Sequence, residues 1–210
     1  MASSPQIVRA SKDSIAQAAT LLGEGELVAF PTETVYGLGA DATNDAAVAK
    51  VFQAKNRPSI NPLIVHVNGI SMALDCGEFG EAARNLAEAF WPGPLTLIVP
   101  RKELSPISSL ASAGLDTVAI RMPDHPVAQE LISEVKKPIA APSANTSGTV
   151  SPTTAQHVAD SLGDRVKLIL DGGKCRIGIE STIVRIATDG PHILRPGGIS
   201  REQLEQTLDH

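Results

Sequence analysis

Apolar residues along this chain recur at two spacings, one helical and one a short continuous run, and their alternation lays out the elements. From Asp13 to Leu22 the spacing is helical, with Ser11 or Asp13 as the cap, and Leu27 to Phe30 is an apolar run closed by Pro31, so a helix leads into a strand. Asp45 to Lys55 reads as a helix, Leu63 to Val67 as a strand, and Phe79 to Phe90 as a helix stopped by Trp91-Pro-Gly-Pro94. Leu95 to Val99 and Thr117 to Arg121 read as strands, Val127 to Val135 as a helix, Ile139 to Ala141 as a strand, Thr153 to Leu162 as a helix and Val166 to Leu170 as a strand. Strands at Thr182 to Ile186 and His192 to Leu194 and a helix from Ser200 complete the pattern. About seven or more strands interleaved with about six helices predict an α/β fold, a sheet flanked by helices. The irregular order and the closing run of strands favour a mixed sheet over a purely parallel one.

Composition narrows this to one domain over residues 1–210 with an interior of Ala, Val, Ile and Leu, because 42% of residues are hydrophobic but only 4 Phe, 1 Tyr and 1 Trp are aromatic. With 18 Lys and Arg against 23 Asp and Glu the net charge is −5, which argues against a dedicated nucleic-acid scaffold; any bound anion must meet a local cluster of cations. Cys76 and Cys175 have neither CxxC nor metal-ligand spacing, so a structural zinc and a disulfide framework are both disfavoured and a reducing cytoplasm is expected. The N-terminal residues lack an apolar signal region, and stretches such as Leu95 to Val99 are too short to span a bilayer, so no membrane association is expected.

Four segments carry candidate chemistry. In Phe30-Pro-Thr-Glu-Thr-Val-Tyr-Gly-Leu-Gly39 a strand runs into polar residues, the place where α/β folds put ligands. Thr32 and Thr34 can orient a small polar molecule, Gly37 and Gly39 let backbone approach it, and Glu33 can hold a cation; the same residues also describe a turn with ordinary glycines. Neither a GxxxxGK[ST] phosphate loop nor a GxGxxG turn is present. In Lys55-Asn-Arg-Pro-Ser-Ile-Asn-Pro62, Pro58 ends the helix, so Lys55 and Arg57 enter a loop stiffened by two prolines. With Ser59 and Asn61 they suit a polyphosphate, or else they serve only as cations at a helix C-terminus. The stretch Ala140 to Pro152 is uncharged and rich in hydroxyl and amide groups, suited to phosphate or ribose ahead of a helix that Ser151 or Thr153 can cap. Finally, Leu170 to Val184 and Arg195-Pro-Gly-Gly198 add Lys174, Arg176 and Arg195 to Lys55, Arg57 and Arg121, cations near glycine or proline breaks that are expected to converge.

Pro31-Thr-Glu-Thr-Val-Tyr-Gly-Leu-Gly39, Lys55-x-Arg57 with Ser59-x-Asn61, Pro142-Ser-Ala-Asn145 with Ser147-Gly148, Glu180-Ser-Thr182 and Arg195-Pro-Gly197, taken together, resemble the YrdC-like family, the L-threonylcarbamoyladenylate synthases, over about residues 7 to 205. The resemblance implies a twisted mixed β-sheet flanked by helices with a large concave active-site cavity. It implies a nucleotidyltransferase that makes threonylcarbamoyl-AMP and pyrophosphate from ATP, L-threonine and bicarbonate, the product going to a downstream tRNA threonylcarbamoyltransferase acting at adenosine 37. By the same resemblance L-threonine falls to Thr34, His66, Arg121, Ala141 and Ser181, and ATP to Arg57, Asn61, Thr117, Ser143, Ser151 and Arg195 with Lys55 beside the phosphates. Lys55 and Arg57 are the implied catalytic pair, Arg195 and Mg²⁺ helping them to neutralise charge as the carbamate attacks the α-phosphate. His66 is read as a hydrogen-bond partner before a proton acceptor, since a lone strand histidine is commonly structural. Some members carry a second C-terminal domain whose linker reaches over the active site. This chain ends at His210 after its last helix, so a single-domain form is expected, with Lys174 to Gly178 the one flexible segment near an open cavity. The alternatives are an RNA-binding module, against which the acidic balance and few aromatics count, and a carbamoyl-transfer domain; weak RNA binding is kept as a partner expectation.

Overall fold

The computed structural model describes residues 5–208; the N-terminal Met1 to Ser4 and the final Asp209 and His210 lie outside the described residues. Ten strands form one sheet. They are β1 (Gln6–Arg9), β2 (Val28–Phe30), β3 (Gly37–Asp41), β4 (Ile64–His66), β5 (Leu95–Pro100), β6 (Thr117–Arg121), β7 (Ile139–Ala140), β8 (Leu168–Asp171), β9 (Thr182–Ala187) and β10 (Gly190–Arg195). The helices are α1 (Lys12–Gly23), α2 (Asp45–Lys55), α3 (Ile70–Cys76), α4 (Glu81–Phe90), α5 (Pro126–Val135), α6 (Ala155–Leu162) and α7 (Arg201–Leu208). The strand order is β1-β8-β2-β3-β7-β4-β6-β5-β9-β10. The pairs β1–β8, β2–β8, β4–β6 and β5–β9 are parallel and the rest antiparallel, so the sheet is mixed, as the irregular element order predicts.

The two faces are covered unequally, and that inequality makes the site. On one face Ala29, Leu38, Val65, Leu97, Ile120 and Val184 pack beneath α2, α3, α4, α6 and α7. On the other, Ile15, Ala18 and Leu22 of α1 and Ala128, Leu131 and Ile132 of α5 cover Val28, Phe30, Ile139, Leu168 and Leu170. This second cluster contains nothing from β4, β6, β5 or β9. Strand registers put His66 opposite both Ile139 and Arg121, and Arg121 opposite Thr96, so these side chains share the face that α1 and α5 leave open.

Three elements fall outside the hydrophobic pattern. Strand β1 is a mostly exposed edge strand, and α3 starts at Gly69 with no side-chain cap. Strand β3 is hidden by its glycines: a Cβ at Gly39 would stand 2.8 Å from Phe30 Cε1 and 3.1 Å from Ile139 Cγ2, so the sheet closes only around glycine here. The expectation that Gly37 and Gly39 bring backbone to a ligand is corrected accordingly; both are buried in β3 against neighbouring side chains. At α1 the cap is Ser11 rather than Asp13, in a reciprocal box where Ser14 Oγ accepts from the Ser11 amide at 2.8 Å and Ser11 Oγ from the Ser14 amide at 3.3 Å.

Candidate active site

On the open half of that face lies a cavity of about 210 Å³. Thr34, from the turn after β2, lines it together with His66 at the end of β4, Arg121 at the end of β6 and Ser181 just before β9. Arg57, Ser143, Glu180 and Arg195 line it as well. Most of the residues assigned to L-threonine and ATP therefore meet in one place, although they come from segments up to 161 residues apart, Thr34 to Arg195. A larger cleft of about 490 Å³ between α3 and α4, on the opposite face, is lined by Ile70, Leu74, Phe79 and Trp91 and brings together no comparable polar set.

Hydrogen bonds fix the direction of each polar group. Thr32 Oγ1 donates to the Val35 carbonyl at 2.6 Å, so in its 2.9 Å contact with Thr34 the Thr34 hydroxyl is the donor. That leaves Thr34 Oγ1 an acceptor toward the cavity, matched to an amine. Ser181 Oγ accepts from Arg195 Nη2 at 3.0 Å and lies 2.7 Å from Thr96 Oγ1. The Ala141 amide already donates to the Ile64 carbonyl at 2.9 Å, so only its carbonyl is left for a ligand. Arg121 is buried; its Nε donates to the Gly93 carbonyl at 3.3 Å and its Nη2 stands 2.6 Å from Glu33 Oε1. Glu33 does hold a cation, that of Arg121. Nη2 is wholly buried and Nε is already bonded, so a ligand carboxylate meets the guanidinium at its Nη1 end. His66 packs edge-on to Phe30 at 6.3 Å, and burial, aided by the charge of Arg121, pushes it down to about 3, so it is neutral near pH 7.

The cationic end is built by a stiff loop. Asn56 ends α2 in the left-handed region at φ 50°, which turns the chain so that Arg57 leaves the helix axis. Arg57 Nε and Nη2 donate to the carbonyls of Asn61 and Pro62 at 3.3 and 3.1 Å within its own loop. Burial lowers the pKa of Arg195 first, with the charges of Arg121 and Arg57 adding to it against Glu180, so the three guanidinium groups share one electrostatic field. The chain passes Gly197 so close to this wall that a Cβ there would collide with the Glu180 carbonyl.

The remaining sequence candidates lie elsewhere. Lys55 does not line the cavity; its side chain is 1% exposed and its ammonium donates to the carbonyls of Ser143 and Asn145, each at 2.5 Å, so it braces the loop that presents Ser143. Burial, with Arg57 beside it, pushes that ammonium down to about 8 against the pull of Glu180. Asn61 is exposed beside Arg57, and the Ser151 hydroxyl donates to Glu180 Oε1 at 2.6 Å. Thr117 shares the face of Arg121 on β6 but lies four residues away, about 13 Å along the strand. The expected convergence of six cations is corrected to three: Lys55 faces inward, Lys174 is exposed, and Arg176 pairs with Asp124 at 2.7 Å. Nor is Lys174 to Gly178 a free flap, because the amides of Cys175, Ile177 and Gly178 donate to the carbonyls of Thr153, Glu33 and Thr34 at 2.8 to 3.0 Å. Thr96 belongs to none of the motifs, and only the strand register brings its hydroxyl to Ser181; Glu180, marked in the sequence only as part of Glu180-Ser-Thr182, lines the cavity itself.

Comparison with known proteins bears on the family and the fold. The Sua5/YciO/YrdC family model, described as "Telomere recombination", matches residues 20–197. A threonylcarbamoyl-AMP synthase of Bacillus subtilis is 58% identical over 92% of this chain and 56% of its own length. A putative threonylcarbamoyl-AMP synthase of Mycobacterium tuberculosis is 40% identical over 92% of this chain and 88% of its own. Among solved structures, that of Pyrococcus abyssi Sua5 complexed with L-threonine superposes with a TM-score of 0.91 at 47% identity, covering 97% of this chain and 60% of that one. The chain thus spans little more than half the length of several relatives it matches.

Proposed function

Because the chain belongs to the Sua5/YciO/YrdC family, we propose that it is a threonylcarbamoyl-AMP synthase domain that converts ATP, L-threonine and bicarbonate into threonylcarbamoyl-AMP, pyrophosphate and water. One observation carries the reading: a single cavity is lined both by Thr34, His66, Arg121 and Ser181, groups suited to an α-amino acid, and by Arg57, Ser143 and Arg195, groups suited to phosphate. Its volume of about 210 Å³ is below the ~300–1,000 Å³ of drug-sized sites, so the nucleotide extends from Arg57 and Arg195 over the open sheet face toward Thr117.

The chemistry follows from those groups. The outward Nη1 of Arg121 takes the threonine carboxylate, and Thr34 Oγ1 accepts from the amine. The neutral amine attacks the carbon of bicarbonate, water leaves, and a carbamate forms; a carbamate oxygen then attacks the α-phosphorus and pyrophosphate departs. Arg57 and Arg195 bind the phosphates and neutralise the charge that builds up, while Ser143, Ser151 and Asn61 supply neutral contacts and Lys55 acts through the Ser143 loop.

Mg²⁺ fits this site as a partner of the phosphates. Among the described residues no cluster of three acidic or His/Cys ligands exists, but the cavity-lining carboxylate of Glu180 forms no ion pair, and one carboxylate plus phosphate oxygens is a usual magnesium environment. When bound, the ion would polarise the phosphate oxygens. No helix of the described residues is long and apolar enough to cross a membrane. We place the reaction in the cytoplasm, feeding a tRNA threonylcarbamoyltransferase.

Pyrophosphate release from radiolabelled ATP, with threonine and bicarbonate supplied separately and together, tests the reading. Release is expected only when all three are present. Release from ATP alone would assign the attack on phosphorus to water or the enzyme and overturn it.

A further inference from the structure

Glu33 stands behind the cavity wall, 1% exposed, with Oε1 2.6 Å from Arg121 Nη2. Among the described residues Arg121 is its one ion-pair partner, and neither carboxylate oxygen has an aligned hydrogen bond. Its main chain is pinned, since the Glu33 carbonyl accepts from the Ile177 amide at 2.8 Å and the Thr34 carbonyl from Gly178 at 3.0 Å. The carboxylate is therefore held against the guanidinium with little water between them, where Coulombic interaction is strong.

The cationic groups of the cavity are consequently unequal. Arg121 is matched by a full negative charge at contact distance. Arg57 donates to the neutral carbonyls of Asn61 and Pro62, and Arg195 to the carbonyl and hydroxyl of Ser181; among the described residues neither forms an ion pair, and the Glu180 carboxylate in the same cavity acts on Arg195 without contact. A polyanion gains at Arg57 and Arg195 but meets a neutral pair at Arg121, with Glu33 repelling it from behind. A zwitterion of zero net charge loses nothing there, because its carboxylate takes Arg121 while its amino group finds Thr34 Oγ1.

We propose that Glu33 is a specificity-determining residue, which by cancelling the charge of Arg121 reserves the Arg121 end of the cavity for an α-amino acid and keeps polyphosphate, including the product pyrophosphate, out of it. The inference rests on the assignment of that end to threonine made above.

The test is titration calorimetry of L-threonine against the full chain with and without excess pyrophosphate, in chelator so that no metal bridges the anion. For the unaltered protein pyrophosphate should not compete with threonine, so the apparent threonine Kd should not rise. In Glu33→Gln, Arg121 keeps its charge and loses its counter-charge, so pyrophosphate should compete and the apparent threonine Kd should rise about tenfold or more. Glu33→Asp retains the charge and should likewise show no competition. A folded Glu33→Gln whose threonine affinity ignores pyrophosphate overturns the inference, as does competition in the unaltered protein. Should Glu33→Gln fail to give a cooperative melt, Glu33→Asp decides: absence of competition supports the inference and competition overturns it. Absence of threonine binding to the unaltered protein overturns the threonine assignment and this inference with it, whereas intact threonine binding with no effect of Glu33→Gln overturns this inference alone.

Discussion

Arg195 holds Ser181 by three hydrogen bonds: Nε and Nη2 donate to its carbonyl at 3.1 and 2.9 Å, and Nη2 donates to its hydroxyl at 3.0 Å. The residue assigned to the phosphates thus also sets the residue assigned to threonine, and the two ends of the cavity are mechanically joined. Arg195→Lys keeps the charge but cannot form the planar fork. Its expected signature is loss of affinity for threonine as well as ATP, each by about 1 to 2 kcal/mol, measured by calorimetry. Loss confined to ATP would show that Ser181 holds its place without the fork.

Arg57 and Arg121 should behave as separable groups. Arg57 is fixed by its own loop and Arg121 by Glu33 and Gly93, with no hydrogen bond shared between them. Arg57→Ala is expected to weaken ATP, and Arg121→Ala threonine, by about 1.5 to 3 kcal/mol for a lost charge-assisted bond. The pair of KM values checks this; equal effects of either change on both substrates would dissolve the division of the cavity.

Stability should fall with acid in a window set by His66. The unfolded residue titrates near 6.5, while burial first and Arg121 second hold the folded one down to about 3. Between those values only the unfolded chain takes the proton, so the stabilisation is complete above pH 6.5 and declines below it by about 1.4 kcal/mol per pH unit. His125 works in the same direction, since burial lowers its pKa and its Nδ1 must stay unprotonated to accept from the Val127 amide at 3.2 Å and cap α5. Denaturant melts at about pH 7 and about pH 5.5 should therefore differ by more than ~1 kcal/mol, with part of that slope gone in His66→Gln. A slope unchanged by His66→Gln would place His66 outside the acid response.

Neither cysteine has a chemical role in this arrangement. Burial pushes the thiol of Cys76 up to about 12 and that of Cys175 up to about 11, so both stay protonated and inert near neutrality. The Cys76→Ser/Cys175→Ser double variant should retain pyrophosphate release, and iodoacetamide should label the native protein far more slowly than the unfolded one. A folded but inactive double variant would reveal a thiol function.

Local patterning was enough to delimit much of the architecture. The Ala- and Val-rich period of α2 and the short run of β6 match their observed spans from Asp45 to Lys55 and from Thr117 to Arg121, because helix period, strand alternation and proline breaks act over a few neighbouring residues. The same local chemistry marked Arg57, Ser143 and Arg195, whose loops are stiffened or opened by adjacent Pro and Gly. Tertiary structure alone decided which cations meet. Lys55 and Arg57 are two residues apart, yet one ammonium is buried against main-chain carbonyls and one guanidinium faces the cavity, since the left-handed turn at Asn56 sends them apart. The pairing of Glu33 with Arg121 and the concavity itself depend on β4, β6, β5 and β9 lying side by side beyond the cover of α1 and α5. That order is set by burial between segments far apart in the chain, and side-chain direction by strand register, where a slip of one residue reverses the face; neither quantity is contained in any short window of sequence.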